Sequence, residues 1–306
     1  MQSVDSVPGV GVSAGTGVER PAKSRNGAVG GLPMPDEPRS TLLLADCLLA
    51  YSARLWFVVA FAGQTLFLAH IVLFYGRAGV VGDWPRWNLI LSPGIVTGDA
   101  LGNSVLGAHL LAAACVTLCG PLQLLPAVRA RAPAFHRWNG RVYLLTAVVA
   151  SLSALYLVWI RGGHVGGLVQ YLGITGQAII ILACAVISLR AALQRDFRRH
   201  RRWALRLYLA VSGVWFMAIG LFFWVFVNHG PVGFDPETFR GPFLDTWSFG
   251  RYLLPLAVLE GYFRTQDHAG ATGRLLMTAG LGAATIATSL GIVVSTLFLW
   301  SQGLAV

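Results

Sequence analysis

The chain has 306 residues, 55% of them hydrophobic and only 12% charged, with a mean hydropathy of +0.63. A soluble domain carries about twice that charged fraction, so a water-soluble fold is the first thing excluded. The formal net charge is +10; beside long apolar runs, this reads as loop charge that sets membrane orientation rather than as a nucleic-acid surface.

Residues 1–40 are rich in Gly, Ser, Pro and Val. They lack the apolar stretch and cleavage site of a signal peptide and read as a disordered cytoplasmic tail. Residues 42–53 follow as an amphipathic lead-in at the membrane surface. A spanning helix needs about 20 apolar residues. Leu55–Gly76, Ser104–Pro126, Val142–Ile160, Gly166–Leu189, Leu207–Val227 and Leu275–Trp300 satisfy this. Leu244–Phe263 is weaker, because Arg251, Pro255 and Glu260 interrupt it. The expectation is an all-α membrane bundle of about seven helices: a five-helix core over 41–230, then one weak and one clear span over 231–306.

Loop charge orients the bundle. Segment 127–141 holds Arg129, Arg131, Arg137 and Arg141, and segment 190–206 holds seven arginines. The alternate loops 77–103, 161–165 and 228–243 hold four basic residues together. The positive-inside rule places the Arg-rich loops, and the N-terminus, in the cytoplasm. The Trp-rich outer loop, with Trp84 and Trp87, reads as an interfacial anchor. Gly173 with Gly176, and Gly280 with Ala284, are candidate points of close helix approach. Cys115 and Cys119 share a helix face, but no His or acidic neighbour completes a metal set, so small packing residues are the expectation.

Two strings resemble each other. HRWNGRVY precedes the third span and HRRWALRLY the fifth, sharing Arg-x4-His (Arg131 to His136, Arg195 to His200) and Trp-x2-Arg-x-Tyr (Trp138 to Tyr143, Trp203 to Tyr208). They suggest parallel repeats of a helical hairpin; the ordinary preference of Trp, Tyr and Arg for the headgroup level accounts for them equally well. These residues, with Cys119-Gly-Pro-Leu-Gln-Leu-Leu-Pro126 and Asp196-Phe-x2-His-Arg-Arg-Trp203, resemble an uncharacterised bacterial multi-pass membrane family, domain of unknown function 2306, over roughly residues 50–230. The resemblance implies a helix bundle in a bacterial inner membrane and no defined activity.

The histidines are the sharpest functional pattern. His70 and His109 each lie about six residues from the outer end of their spans, roughly 9 Å below the surface. His136 and His200 match each other at the inner boundary. Imidazoles at two levels can hold two b-type haems and conduct electrons across the membrane, with His70 and His109 as the outer ligands and His136 and His200 as the inner ones. The layout, though not the sequence, is similar in outline to the ascorbate-reducible b-type cytochromes. Against it, His70 and His109 can simply bond Gln64, each other or a backbone carbonyl.

A second reading is non-enzymatic. Arg137 with Arg141, and Arg202 with Arg206, stand at i and i+4, so each pair shares a helix face. Were those faces to meet, four guanidiniums and two imidazoles would form a pocket for anionic lipid headgroups or a small anion. A third reading, an ion-coupled transporter, rests on Glu260, which can instead pair with Arg264 at i+4. There is no phosphate loop, zinc helix or nucleophile elbow.

Overall fold

The computed structural model describes residues 39–162 and 166–303; the expected tail before residue 39 and His164 lie outside them. Among the described residues the chain is helical. Its main elements are α1 (Arg39–Val81), α2 (Ala100–Leu124), α3 (Pro133–Arg161), α4 (Leu168–Leu193), α5 (Phe197–Val211), α6 (Gly213–Val227), α7 (Pro242–His268) and α8 (Ala271–Phe298). Five of them (α1, α2, α3, α4 and α8) are long and apolar enough to cross a membrane. α5 and α6 pass the same test only when taken together, bent by 52° at Ser212, which makes six candidate spans if the bent pair is one span. The weak segment is a single 27-residue helix, α7, that falls short on composition.

Neighbouring contacts show how α7 lies. Gln170, at the start of α4, donates to Asp245 at the start of α7. Further along, Gly173 faces Ser248 and Gly176 faces Tyr252. At the far end, Asp267 pairs with Arg198 and Arg202, just beyond the end of α4. So α7 runs parallel to α4 over its whole length, about 40 Å at 1.5 Å per residue. The close approach expected at Gly173 and Gly176 is present. The one expected at Gly280 is absent, because a Cβ there meets nothing within 4 Å. Instead α8 approaches α6 at Gly291, where a Cβ would come within 2.5 Å of the Ile219 carbonyl oxygen.

The lead-in before residue 54 does not form a separate surface helix. It is the first part of α1, continuous through Val81 and roughly 64 Å long. Such a helix exceeds the hydrocarbon thickness, so its early turns have length to spare beyond the apolar core. There Asp46 forms an ion pair with Arg274 of α8, and α1 and α8 run side by side. Before the bend at Ser212 the helix touches both halves of the core: Leu207 and Ala210 pack with Tyr143, Ala147, Ile181 and Cys184, while Tyr208 and Leu209 join Ala60, Ile292 and Trp300, with which Trp215, Phe216 and Ile219 pack beyond the bend. No such bend breaks α3, so the two similar strings do not head equivalent helices, and a hairpin repeat is not shown.

Side chains satisfy the broken helix. Gln177 of α4 donates to the Ala210 carbonyl (2.9 Å). Tyr208 donates to Gln64 (3.1 Å), and Gln64 donates to Ser212 (2.9 Å). In an apolar interior such groups must be paired, and these pairs join α1, α4 and the bent helix.

Candidate functional site

The two Arg-rich loops meet at one end of the bundle, and the similar strings are buried into it. On α3, the residues of HRWNGRVY divide between two faces. Asn139 donates to the Cys119 carbonyl (3.0 Å), and the His136 carbonyl accepts from Gln123 (2.9 Å). Tyr143 packs beside Tyr208 over Gly120, where a Cβ would stand 3.2 Å from each ring. This interlock explains the Cys-Gly-Pro-Leu-Gln string: Cys119, Gly120 and Gln123 each receive a residue from α3. The other face is outward. Arg137 and Arg141 are exposed, Trp138 is 65% exposed, and the Arg141 guanidinium lies 5.0 Å from the Trp138 ring. Neither arginine has a carboxylate partner among the described residues.

The arginines of α5 behave differently. Arg206 grips Glu260 through Nε (2.6 Å) and Nη2 (2.9 Å), and Arg202 grips both oxygens of Asp267 (2.7 and 2.6 Å). Phe263 lies between, 4.8 Å from the Arg202 guanidinium and 5.2 Å from that of Arg206. Arg206 also stacks on Trp203 at 4.7 Å. The expected four-arginine pocket is therefore not assembled: one pair faces outward and the other is neutralised by α7. Glu260 is committed to Arg206 rather than to Arg264. The arginines around Asp267 hold its carboxyl below the usual range, the Arg202 hydrogen bonds contributing most. The missed partners were legible: Glu260, Phe263 and Asp267 form an i, i+3, i+7 stripe that matches Arg198, Arg202 and Arg206 on an antiparallel helix.

The inner histidines are brought together. Both stand within helices, since α3 begins at Pro133 and α5 at Phe197. His136 lies in electrostatic range of His200, Arg129 and Arg137, and its Nδ1 is buried without a partner among the described residues. His200 Nδ1 meets the Ser188 carbonyl at 2.9 Å, at the end of α4. A carbonyl only accepts, so Nδ1 carries the proton and the neutral ring has its lone pair on Nε2.

The outer histidines turn to different partners. His109 Nδ1 meets the Ala150 carbonyl (3.2 Å) and Ser153 hydroxyl (2.9 Å) of α3. His70 is buried against Phe74 and Tyr75, with ring centroids at 5.4 and 5.7 Å, and its imidazole meets the Trp300 backbone. Each of these rings thus has partners of its own, since depth leaves the rotation of each helix undetermined. A different residue organises this end. Arg161, its side chain 5% exposed, reaches Asp99 (2.7 Å), Asn103 (2.7 Å) and the Gly94 carbonyl (2.9 Å). It ties the Trp-rich loop to the last turn of α3. In that loop Trp87 is buried and donates to the Tyr75 carbonyl at 3.1 Å.

The four cysteines are free, and among the described residues no group of three His, Cys, Asp or Glu side chains is placed to hold a metal. No curated protein and no solved structure matches the chain. A family model described as "Predicted membrane protein (DUF2306)" matches residues 106–234. That stretch runs from α2 to the loop after α6 and holds both similar strings and the interlock around Gly120; α1 lies outside it, although the resemblance in sequence reached back to about residue 50. The helical bundle agrees with that description, and over residues 106–234 this multi-pass membrane chain is similar to the DUF2306 family of predicted membrane proteins.

Proposed function

We propose that this is a non-enzymatic protein of a bacterial inner membrane that binds a phosphate-bearing anion, such as an anionic lipid headgroup, at its cytoplasmic end. The observation that carries this reading is the outward face of α3. Arg137, Trp138 and Arg141 stand together and exposed, without a carboxylate among the described residues, while Arg202 and Arg206 of α5 are paired with Asp267 and Glu260. Trp favours the headgroup level, and Arg takes phosphate through two parallel hydrogen bonds. The excess of arginine on this side supports a cytoplasmic placement. In this reading α7 is the seventh crossing, with its Arg and Glu turned into the protein rather than towards lipid.

The test uses delipidated protein in a nonionic detergent. Added phosphatidylglycerol should raise the thermal midpoint saturably, phosphatidylcholine should not, and Arg137→Gln/Arg141→Gln should remove the difference. Equal responses to the two lipids refute the reading.

One observation favours a second ligand at the same end. Metal-ligating imidazoles have their other nitrogen held by a carbonyl, as Ser188 holds His200. With the buried, unpartnered Nδ1 of His136 beside it, this supports ligation of a haem b whose propionates would take the arginines. A reduced-minus-oxidised visible spectrum of protein expressed with added haem decides it. A b-type band that His200→Ala removes supports haem; a flat spectrum eliminates it.

A further inference from the structure

Arg251 lies on α7, nine residues after Pro242 and so about 13 Å from that end of the helix. With α7 read as a crossing, as proposed above, a hydrocarbon core of about 30 Å puts this close to mid-depth. The residue is 8% exposed. Its Nε is buried without a partner, and its guanidinium makes no ion pair, hydrogen bond or ring contact among the described residues. The two flanking acids of α7 are engaged elsewhere, Asp245 with Gln170 and Glu260 with Arg206. The titratable group beside it is the Tyr252 phenol. Arginine does not shed its proton in a protein, so the charge persists at this depth.

A second orphan donor stands one turn away. Trp247 Nε1 is buried and also lacks a partner among the described residues. The indole lies against α6 at Gly220, where an added Cβ would stand 2.8 Å from Nε1, so this donor faces the α6–α7 interface. Helical side chains lean towards the N-terminus, which carries the long Arg251 side chain back towards the turn of Trp247. An unpaired buried cation is strongly destabilising, whereas one with a counter-ion and hydrogen bonds is not.

We infer that Arg251 and Trp247 hold a small monovalent anion, of halide or nitrate size, between α6 and α7. The site is independent of the inner arginine face, and both of its donors, Trp247 and Arg251, lie outside the matched family segment. Its single positive charge suits a single negative one, and its place at a helix-packing interface suits a compact ion.

The experiment exchanges gluconate for chloride, bromide or nitrate at constant ionic strength, with the full chain in nonionic detergent. The thermal midpoint should rise saturably, by about 3 °C, as expected for a ligand that binds only the folded state. Bromide should also quench a saturable fraction of the Trp emission. Arg251→Met should abolish the rise while leaving the midpoint in gluconate unchanged or higher, since the lone charge is gone. Arg251→Lys retains the charge and should respond at higher halide concentrations, which keeps the test decisive if the Met variant does not fold. Trp247→Phe should remove the saturable quenching. No saturable response in the wild type, or an undiminished response in Arg251→Met, overturns the site. A response to phosphatidylglycerol with none to halide or nitrate overturns the assignment to a small ion.

Discussion

The clamp between α5 and α7 gives the sharpest energetic test of the fold. Arg206 and Glu260 are joined by two hydrogen bonds, with side chains 18% and 41% exposed, and the guanidinium lies between the Trp203 and Phe263 rings. Removing one partner of a fully buried pair costs about 3–5 kcal/mol. Here Glu260 is more than a third exposed, so solvent screening reduces the expected cost of Glu260→Gln to about 1–2 kcal/mol. At about 2–4 °C per kcal/mol for a large domain, the midpoint should fall by roughly 2–8 °C. Arg206→Met should cost a similar amount. The double variant should cost much less than the two singles combined, with a coupling of about 1–2 kcal/mol, because the second substitution no longer strands a charge. The assay is thermal unfolding in detergent of all four proteins. Strictly additive effects would refute the pairing and, with it, the antiparallel register of α5 and α7.

Two further outcomes follow from the same packing. Gly291→Ala should lower the midpoint markedly and reduce the yield of folded protein, because its Cβ would meet the Ile219 carbonyl, which is backbone and cannot turn aside; Gly280→Ala, with open space around it, should be neutral or slightly stabilising through helix propensity. The Asp267 carboxyl has its folded-state pKa depressed, so its contribution is complete above the unfolded carboxylate range and is lost as pH falls through the lower folded value. The midpoint difference between the wild type and Asp267→Asn should therefore be constant from neutral pH to about 5 and shrink below about 4; a difference that instead disappears between pH 6 and 8 would assign the effect to histidine.

Much of the fold is legible in the sequence because hydrocarbon imposes a simple rule. Apolar length locates α1 to α4, the bent α5–α6 span and α8, and arginine counts pair the loops by side. What composition reads badly is α7, whose Arg251, Glu260 and Asp267 look unsuited to lipid. Each side chain is placed by its neighbours: Glu260 and Asp267 meet the α5 arginines, and Arg251 is turned inward. The site was half legible. The motif strings mark where α2, α3 and α5 interlock, and they bring His136 to His200. Facing directions were not legible, since residues at equal depth on two helices meet only if both helices are rotated towards each other. His70 and His109 have partners of their own at matched depth, and of the two arginine pairs one is exposed while the other is bound to α7. Arg161 escaped notice because it stands alone in sequence; its partners Asp99, Asn103 and Gly94 come from a loop whose path only the fold determines.

The proposal of an anion-binding cytoplasmic end is tested most directly by native mass spectrometry of the chain released from mixed phosphatidylglycerol and phosphatidylcholine micelles. The account predicts preferential retention of at least one phosphatidylglycerol by the wild type, lost in Arg137→Gln/Arg141→Gln and preserved in Arg129→Gln. Equal retention of the two lipids, or full retention by the double variant, would contradict it.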